Sequence, residues 1–215
     1  MILKELREQV VAAGVGLLRT GLVTVTWGNI SARDRATGYV TITPSGMEYD
    51  KITPGDIVVL GPDGRVIEGT RKPSSETPMH LLIYSKKPEV GGIVHTHSTY
   101  ATAMGVLGLE IPLVIGELAN AVGGPVKTAR FAPEGTRELG VAAVEGMGET
   151  AAVILANHGV VATGPSLKDA FFNAVVVEDA AKVFYLAKAI GKPATIPPEE
   201  AARLHEEFLS SYGQK

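Results

Sequence analysis

Four residues of this 215-residue chain have the types and spacing for metal chemistry: Glu76, His95, His97 and His158. His95 and His97 end the run Gly91-Gly92-Ile93-Val94-His95-Thr96-His97, which is apolar and short enough to be a strand. Side chains two apart on a strand share a face, so both imidazoles would point toward one ion. His158 follows a second apolar run, 151–157, and precedes Gly159, whose conformational freedom suits a tight bend that aims a ligand. Three neutral imidazoles with an oxygen donor form a usual zinc arrangement that leaves a position for substrate. A lone His-x-His is also compatible with two hydrogen-bonded polar residues. Here, though, three of the five histidines fall at strand ends or turns rather than on polar helix faces. His80 lies in a helix-like stretch, where a supporting contact to the site is open to it, and His205 lies on a charged amphipathic helix.

Three small polar turns surround this set. Gly28-Asn29 precedes Ile30-Ser31, Ser45-Gly46 follows Thr43-Pro44, and Ser74-Ser75 leads into Glu76 and a helix. Backbone N–H groups at such turns and at a helix start, helped by hydroxyls, cradle a phosphate without a lysine. Each turn also has an ordinary reading, and Ser75 in particular suits a helix N-cap.

The elements that must position these residues alternate without repeats. A helix is predicted over 3–20, with Leu3, Leu6, Val10, Leu17 and Leu18 at helical spacing. Gly14 and Gly16 fall inside that pattern, which excludes a dinucleotide fingerprint. Strands are predicted over 38–43 and 56–60, with 65–68 returning as a hairpin through Pro62-Asp63-Gly64. Helices are predicted over 77–86, from about 98, and over 135–146, 167–190 and 197–212. Hairpins mixed with helices imply a largely antiparallel or mixed sheet covered by helices.

Composition narrows the class. With 45% apolar residues and a net charge of −3, the chain suits one substantial core, a single domain over 1–215. It has no cysteine, so nitrogen and oxygen must hold any metal. The charged, amphipathic start and the lack of a long apolar stretch predict a soluble cytoplasmic protein without a membrane partner. Basic residues are scattered among acidic ones, which argues against nucleic acid.

Thr26-Trp27-Gly28-Asn29-Ile30-Ser31, Thr43-Pro44-Ser45-Gly46-Met47, Lys72-Pro73-Ser74-Ser75-Glu76, Ile93-Val94-His95-Thr96-His97 and Ala156-Asn157-His158-Gly159-Val160 together resemble the class II aldolase/adducin family. The resemblance runs from the first helix to the C-terminus. It implies an α/β fold, a three-layer α-β-α sandwich around a central, mostly antiparallel sheet, and a homotetramer with active sites at subunit boundaries. It also implies Zn2+, or another divalent metal, on His95, His97 and His158, with Glu76 as fourth ligand and as catalytic base once substrate displaces it. Gly28, Asn29, Ser45, Gly46, Ser74 and Ser75 would hold the substrate's phosphate. Tyr212 matches a C-terminal tyrosine that reaches a neighbouring active site. The implied reaction is reversible cleavage of a phosphorylated ketose, of the L-fuculose 1-phosphate kind, to dihydroxyacetone phosphate and an aldehyde through an enediolate.

The chain also departs from the aldolases it resembles. Where a tyrosine is expected after the His-x-His helix it reads Ile115-Gly116-Glu117-Leu118-Ala119. Glu117 falls near the acidic catalytic residue of the methylthioribulose-1-phosphate dehydratase branch, and it equally suits a solvent-facing carboxylate. The aspartate and histidine expected of a ribulose-phosphate epimerase are missing there. An adducin-like structural module would keep the fold and lose the metal ligands, all of which this chain retains. A cupin would need a glutamate where Ala101 and Thr102 stand.

Overall fold

The computed structural model describes residues 1–211. Its centre is an eight-stranded sheet in the order β4-β3-β2-β1-β5-β8-β7-β6. The strands are β1 (Asn29–Arg33), β2 (Val40–Ile42), β3 (Val58–Leu60), β4 (Val66–Glu68), β5 (Gly92–Thr96), β6 (Thr128–Ala129), β7 (Ala152–Leu155) and β8 (Gly159–Gly164). Every neighbouring pair is antiparallel except β6 with β7. The mostly antiparallel sheet expected from the sequence is therefore present. The predicted hairpin 56–68 forms as β3 and β4, with an irregularity between Val59 and Leu60.

Helices cover both faces. They are α1 (Lys4–Thr20), α2 (Thr77–Lys86), α3 (Thr99–Val106), α4 (Gly116–Val122), α5 (Arg137–Met147), α6 (Leu167–Ile190) and α7 (Pro198–Ser211). One apolar cluster joins Val94 and Ile154 to Val10, Leu17, Ala101, Leu118, Val177 and Ala201, which places α1, α3, α4, α6 and α7 on one side. A second joins Ile93, Val153 and Val161 to Met79, Ile83, Leu139 and Ala143, which places α2 and α5 on the other. Alternation along β5 sends Ile93 to one layer and Val94 to the next, and burying each such side chain is worth about 1.5–3 kcal/mol. Ser166 and Asp169 form a reciprocal cap that starts α6. No helix among the described residues is long and apolar enough to cross a membrane.

Strand β1 departs from the sequence reading, which placed a polar turn at Gly28-Asn29 and no strand after it. It lies deep in the sheet, between β2 and β5. Ile30 and Ala32 enter the larger apolar cluster, whereas Asn29 and Ser31 are buried polar residues. Polar residues on a buried face mask the apolar pattern by which central strands are usually recognised.

Candidate active site

Register brings the proposed ligands together. Asn29 pairs with His95 across β1 and β5, and His95 pairs with Val161 across β5 and β8. His97 lies just past the end of β5, and His158 sits in the turn from β7 to β8. The three imidazole centroids are 4.8–4.9 Å apart, with interplanar angles of 66–86°. One ring nitrogen from each lies within 4.8 Å of the others.

The turn that aims His158 works differently from the sequence expectation. Asn157, not Gly159, takes the left-handed conformation, at φ 56°. Gly159 is needed for space, because a Cβ there would lie 2.3 Å from the Thr96 carbonyl oxygen and 3.1 Å from His95 Cε1. Close approach of β8 to β5, rather than a bend, excludes a side chain.

Glu76 ends its loop at the start of α2, buried beneath these rings. Its Oε2 is 2.9 Å from His95 Nε2 and accepts a hydrogen bond of 2.8 Å from Asn29 Nδ2. Its Oε1 is 3.5 Å from His158 Nε2 and is buried with no hydrogen-bond partner. His95 Nδ1 lies 2.9 Å from the Val160 carbonyl, which takes its hydrogen and turns Nε2 toward the cluster, 3.0 Å from His97 Nε2. Ligands about 2 Å from a tetrahedral zinc are about 3.3 Å apart. The His95–His97 nitrogens at 3.0 Å and Glu76 Oε1 at 3.5 Å from His158 Nε2 are near that spacing, and with all three imidazoles offering a nitrogen within 4.8 Å the donor set fits a divalent cation.

Electrostatics agree with that fit. Burial pushes the Glu76 carboxyl up, but His95, His158 and the Asn29 hydrogen bond together outweigh it and hold the group well below the usual carboxylate range. Burial pushes His95 down, and Glu76 and the Val160 carbonyl more than reverse this. His97 is pushed to about 3 by burial and then by the charge of its neighbouring histidines. His158 is lowered by burial and by His95. Such opposed shifts in a cleft are typical of functional sites.

Gly28, Asn29, Ser45, Gly46, Ser74 and Ser75 all line the pocket onto which Glu76, His97 and His158 open. A bridge between Pro44 and Pro73 ties the Ser45 and Ser74 turns together. The Ser45 N–H donates to the Lys72 carbonyl, 2.9 Å, so it serves the fold rather than a ligand. Ser74 Oγ accepts from the Glu76 N–H at 3.2 Å, so Ser74 rather than Ser75 supports the start of α2. The N–H groups of Gly46 and Ser75 make no hydrogen bond to other described residues. Gly28 adopts φ 81° against β5, where a Cβ would lie 2.6 Å from the His95 carbonyl oxygen.

Other expected residues fall elsewhere. Glu117 is exposed in the first turn of α4 and is not part of this pocket wall. Tyr212 lies outside the described residues. His80 is buried and reaches the site through Asn29, with its Nε2 2.6 Å from Asn29 Oδ1. His205, on α7, places its Nδ1 2.6 Å from the Asn120 carbonyl, away from this pocket.

Among the pocket residues not singled out from the sequence, Glu134 and Trp27 contact the histidines. Glu134, in the loop before α5, brings Oε1 to 3.8 Å from His158 Nε2 while its side chain remains 74% exposed. Trp27 stacks on His97 with ring centroids 5.9 Å apart. Trp27 lay within a motif already marked, whereas nothing local distinguishes Glu134 from other loop carboxylates.

The sequence profile of the Class II Aldolase and Adducin N-terminal domain matches residues 8–185. This chain belongs to the class II aldolase and adducin family. It is 44% identical over 215 residues to a 5-deoxy-D-ribulose 1-phosphate aldolase of Bacillus thuringiensis serovar kurstaki, covering 100% of both chains. It is 39% identical to an L-ribulose-5-phosphate 4-epimerase, UlaF, of Salmonella paratyphi C, covering 98% of this chain and 96% of that one. A solved L-fuculose 1-phosphate aldolase superposes with a TM-score of 0.92 at 38% identity, over 95% of this chain and 96% of the other. Family membership and the three-layer fold thus agree with the resemblance carried by the motifs.

Proposed function

We propose that the protein is a divalent-metal-dependent lyase that reversibly cleaves a ketose 1-phosphate to dihydroxyacetone phosphate and an aldehyde. The observation that carries this reading is the convergence of Glu76 with His95, His97 and His158 at a pocket that Glu76, His97 and His158 line together with the Ser45-Gly46 and Ser74-Ser75 turns. Relatives named for 5-deoxy-D-ribulose 1-phosphate and L-fuculose 1-phosphate support a 1-phosphate substrate. His95, His97, His158 and Glu76 would hold the metal, with zinc as the proposed ion. When bound, that ion supplies Lewis-acid polarisation of the substrate's carbonyl and adjacent hydroxyl, worth several kcal/mol.

The chain's own groups do the rest. Gly46 and Ser75 present backbone N–H groups to the phosphate, joined by the serine hydroxyls, and so hold the reacting carbons in register. In cleavage, the C4 hydroxyl loses its proton, the C3–C4 bond breaks, and its electron pair moves toward C2. Glu76 then delivers a proton to C3; in synthesis it removes that proton. A positioned carboxylate contributes about 10²–10⁴-fold. Tyr212, reaching from a neighbouring subunit of a cytoplasmic homotetramer, is proposed to take and return the proton at the aldehyde oxygen, with Glu117 as the alternative acid.

A second reading has support from the UlaF relatives: a 4-epimerase breaks and remakes a carbon–carbon bond without releasing the pieces. A dehydratase would use the same pocket. Incubation with L-fuculose 1-phosphate, 5-deoxyribulose 1-phosphate and L-ribulose 5-phosphate separates the three. Dihydroxyacetone phosphate is the expected product; a 4-epimer of unchanged mass or a dehydrated diketone replaces the proposal. Borohydride with substrate should leave activity intact, since the scheme needs no lysine Schiff base.

A further inference from the structure

Glu76 is one end of a buried row of polar side chains. Asn29 Nδ2 is 2.8 Å from Glu76 Oε2, and Asn29 Oδ1 is 2.6 Å from His80 Nε2. His80 Nδ1 is 2.6 Å from Ser31 Oγ, which is 2.9 Å from the Tyr84 hydroxyl. All five residues are buried, Ser31 and His80 completely. Placing five polar groups between a helix and a sheet is costly unless every one is paired, and apolar side chains of similar size would fill the same space without that cost. Neighbouring Met79 and Ile83 on α2 show that this helix packs apolar groups readily.

The row follows from two periodicities. Glu76, His80 and Tyr84 stand four apart along the helix, while Asn29, Ser31 and Arg33 stand two apart along β1. Four helical residues advance about 6 Å and two strand residues about 6.7 Å, so the steps stay matched. Arg33 closes the far end, donating to the Tyr84 carbonyl at 3.0 Å with its guanidinium 5.0 Å from the Tyr84 ring centroid.

Donor and acceptor roles are fixed from the Glu76 end. An ionised carboxylate only accepts, so Asn29 must turn its NH2 toward it; reversed, the amide would place oxygen against oxygen. The Asn29 carbonyl then faces His80, whose Nε2 must carry the hydrogen. Burial holds His80 neutral, pushing it to about 3, so Nδ1 is bare and accepts from the Ser31 hydroxyl. The Ser31 oxygen in turn accepts from Tyr84. Every donor points toward Glu76, and the amide between Glu76 and His80 makes the row a brace rather than a path for protons.

We infer that His80, backed by Ser31 and Tyr84, is a positioning residue that locks the Asn29 amide with its NH2 toward Glu76 and thereby aims the second Glu76 oxygen, Oε1, at the metal-ligand cluster. The inference rests on the proposed role of Glu76, and its readouts separate the two. Nitrogen NMR of histidine-labelled full chain near neutral pH is expected to show His80 as the Nε2–H tautomer. An Nδ1–H tautomer or an imidazolium overturns the brace, whatever the enzyme's substrate. His80→Phe leaves the Asn29 carbonyl without a donor, while His80→Gln offers an N–H in its place. At saturating Zn2+, His80→Phe should lower kcat for ketose 1-phosphate cleavage about 10- to 100-fold, with most of the loss recovered in His80→Gln. Equal losses in both variants overturn the inference in favour of simple packing. Should His80→Phe fail to fold, Ser31→Ala replaces it: a shift of His80 toward the Nδ1–H tautomer supports the brace, and an unchanged tautomer with unchanged rate overturns it. Absence of carbon–carbon cleavage in the unaltered protein, with the expected tautomer present, removes the functional reading and leaves the brace standing.

Discussion

Asn29 and His95 sit opposite one another in the β1–β5 register, and their side chains reach the same oxygen of Glu76, at 2.8 and 2.9 Å. One oxygen is thus held by the sheet, and the other, Oε1, is left without a hydrogen-bond partner beside His158. A carboxylate anchored on one side and bare on the other suits a ligand that must later accept and return a proton.

Metal loading should therefore stabilise the fold. Saturation at about a hundred times the dissociation constant contributes about 2.7 kcal/mol, and a chain of this length shifts about 2–4 °C per kcal/mol. Scanning calorimetry of chelator-treated protein with and without added Zn2+ is expected to show a rise of about 5–10 °C. Ala at His95, His97 or His158 should abolish the rise; a retained rise would place the ion elsewhere.

Glu76→Gln keeps the side-chain volume and an oxygen for the metal but removes the group that moves a proton. Its kcat should fall by about 10²-fold or more while substrate still binds in equilibrium dialysis with loaded protein. Near-normal turnover would remove Glu76 as the base.

How much of this was legible before the fold was known depends on what each residue contacts. The long helices announced themselves through apolar spacing, and the His95-His97-His158 cluster through its residue types and the short strands around it. The six residues expected to hold a phosphate do line one pocket, but the sequence could not say which of their donors are free, since the Ser45 N–H is taken by Lys72, distant in sequence. Strand β1 was not predicted because Asn29 and Ser31 face a polar helix seam inside the core. Periodicity rules assume apolar interiors, and here they meet the exception. Glu134 was invisible for the opposite reason: it is an exposed loop carboxylate whose meaning comes only from its distance to His158.

Stability of chelator-treated protein should depend on pH in a defined sense. His95 is held above its ordinary 6.5, so its contribution is full below about 6.5 and is lost as pH rises through the raised value. Glu76 is held below its ordinary 4.5, so its contribution is present above that value and is lost as pH falls through the lowered one. Maximum stability from this pair thus lies in the weakly acidic range between them. Metal binding has the opposite trend, because His95 must first release its proton. Melting curves from about pH 6 to about pH 8 should show the Zn2+-induced gain increasing; a gain that shrinks would contradict the coupling of Glu76 and His95.

Gly159→Ala tests whether the His158 turn is set by space or by bending. The added Cβ would meet the Thr96 carbonyl oxygen at 2.3 Å and crowd His97 Cδ2 at 3.3 Å, so β5 and β8 must separate where the ligands are mounted. Overpacking of this kind costs about 1–3 kcal/mol, and Zn2+ affinity should fall with it because two imidazoles lie at the displaced contact. Gly116→Ala is the control: it meets no atom within 4 Å at the start of α4 and should change stability by less than about 1 kcal/mol. Unfolding curves and a competitive Zn2+ titration on both variants decide the matter. If Gly159→Ala matches its control in stability and affinity, close strand approach is not what holds His158 in place.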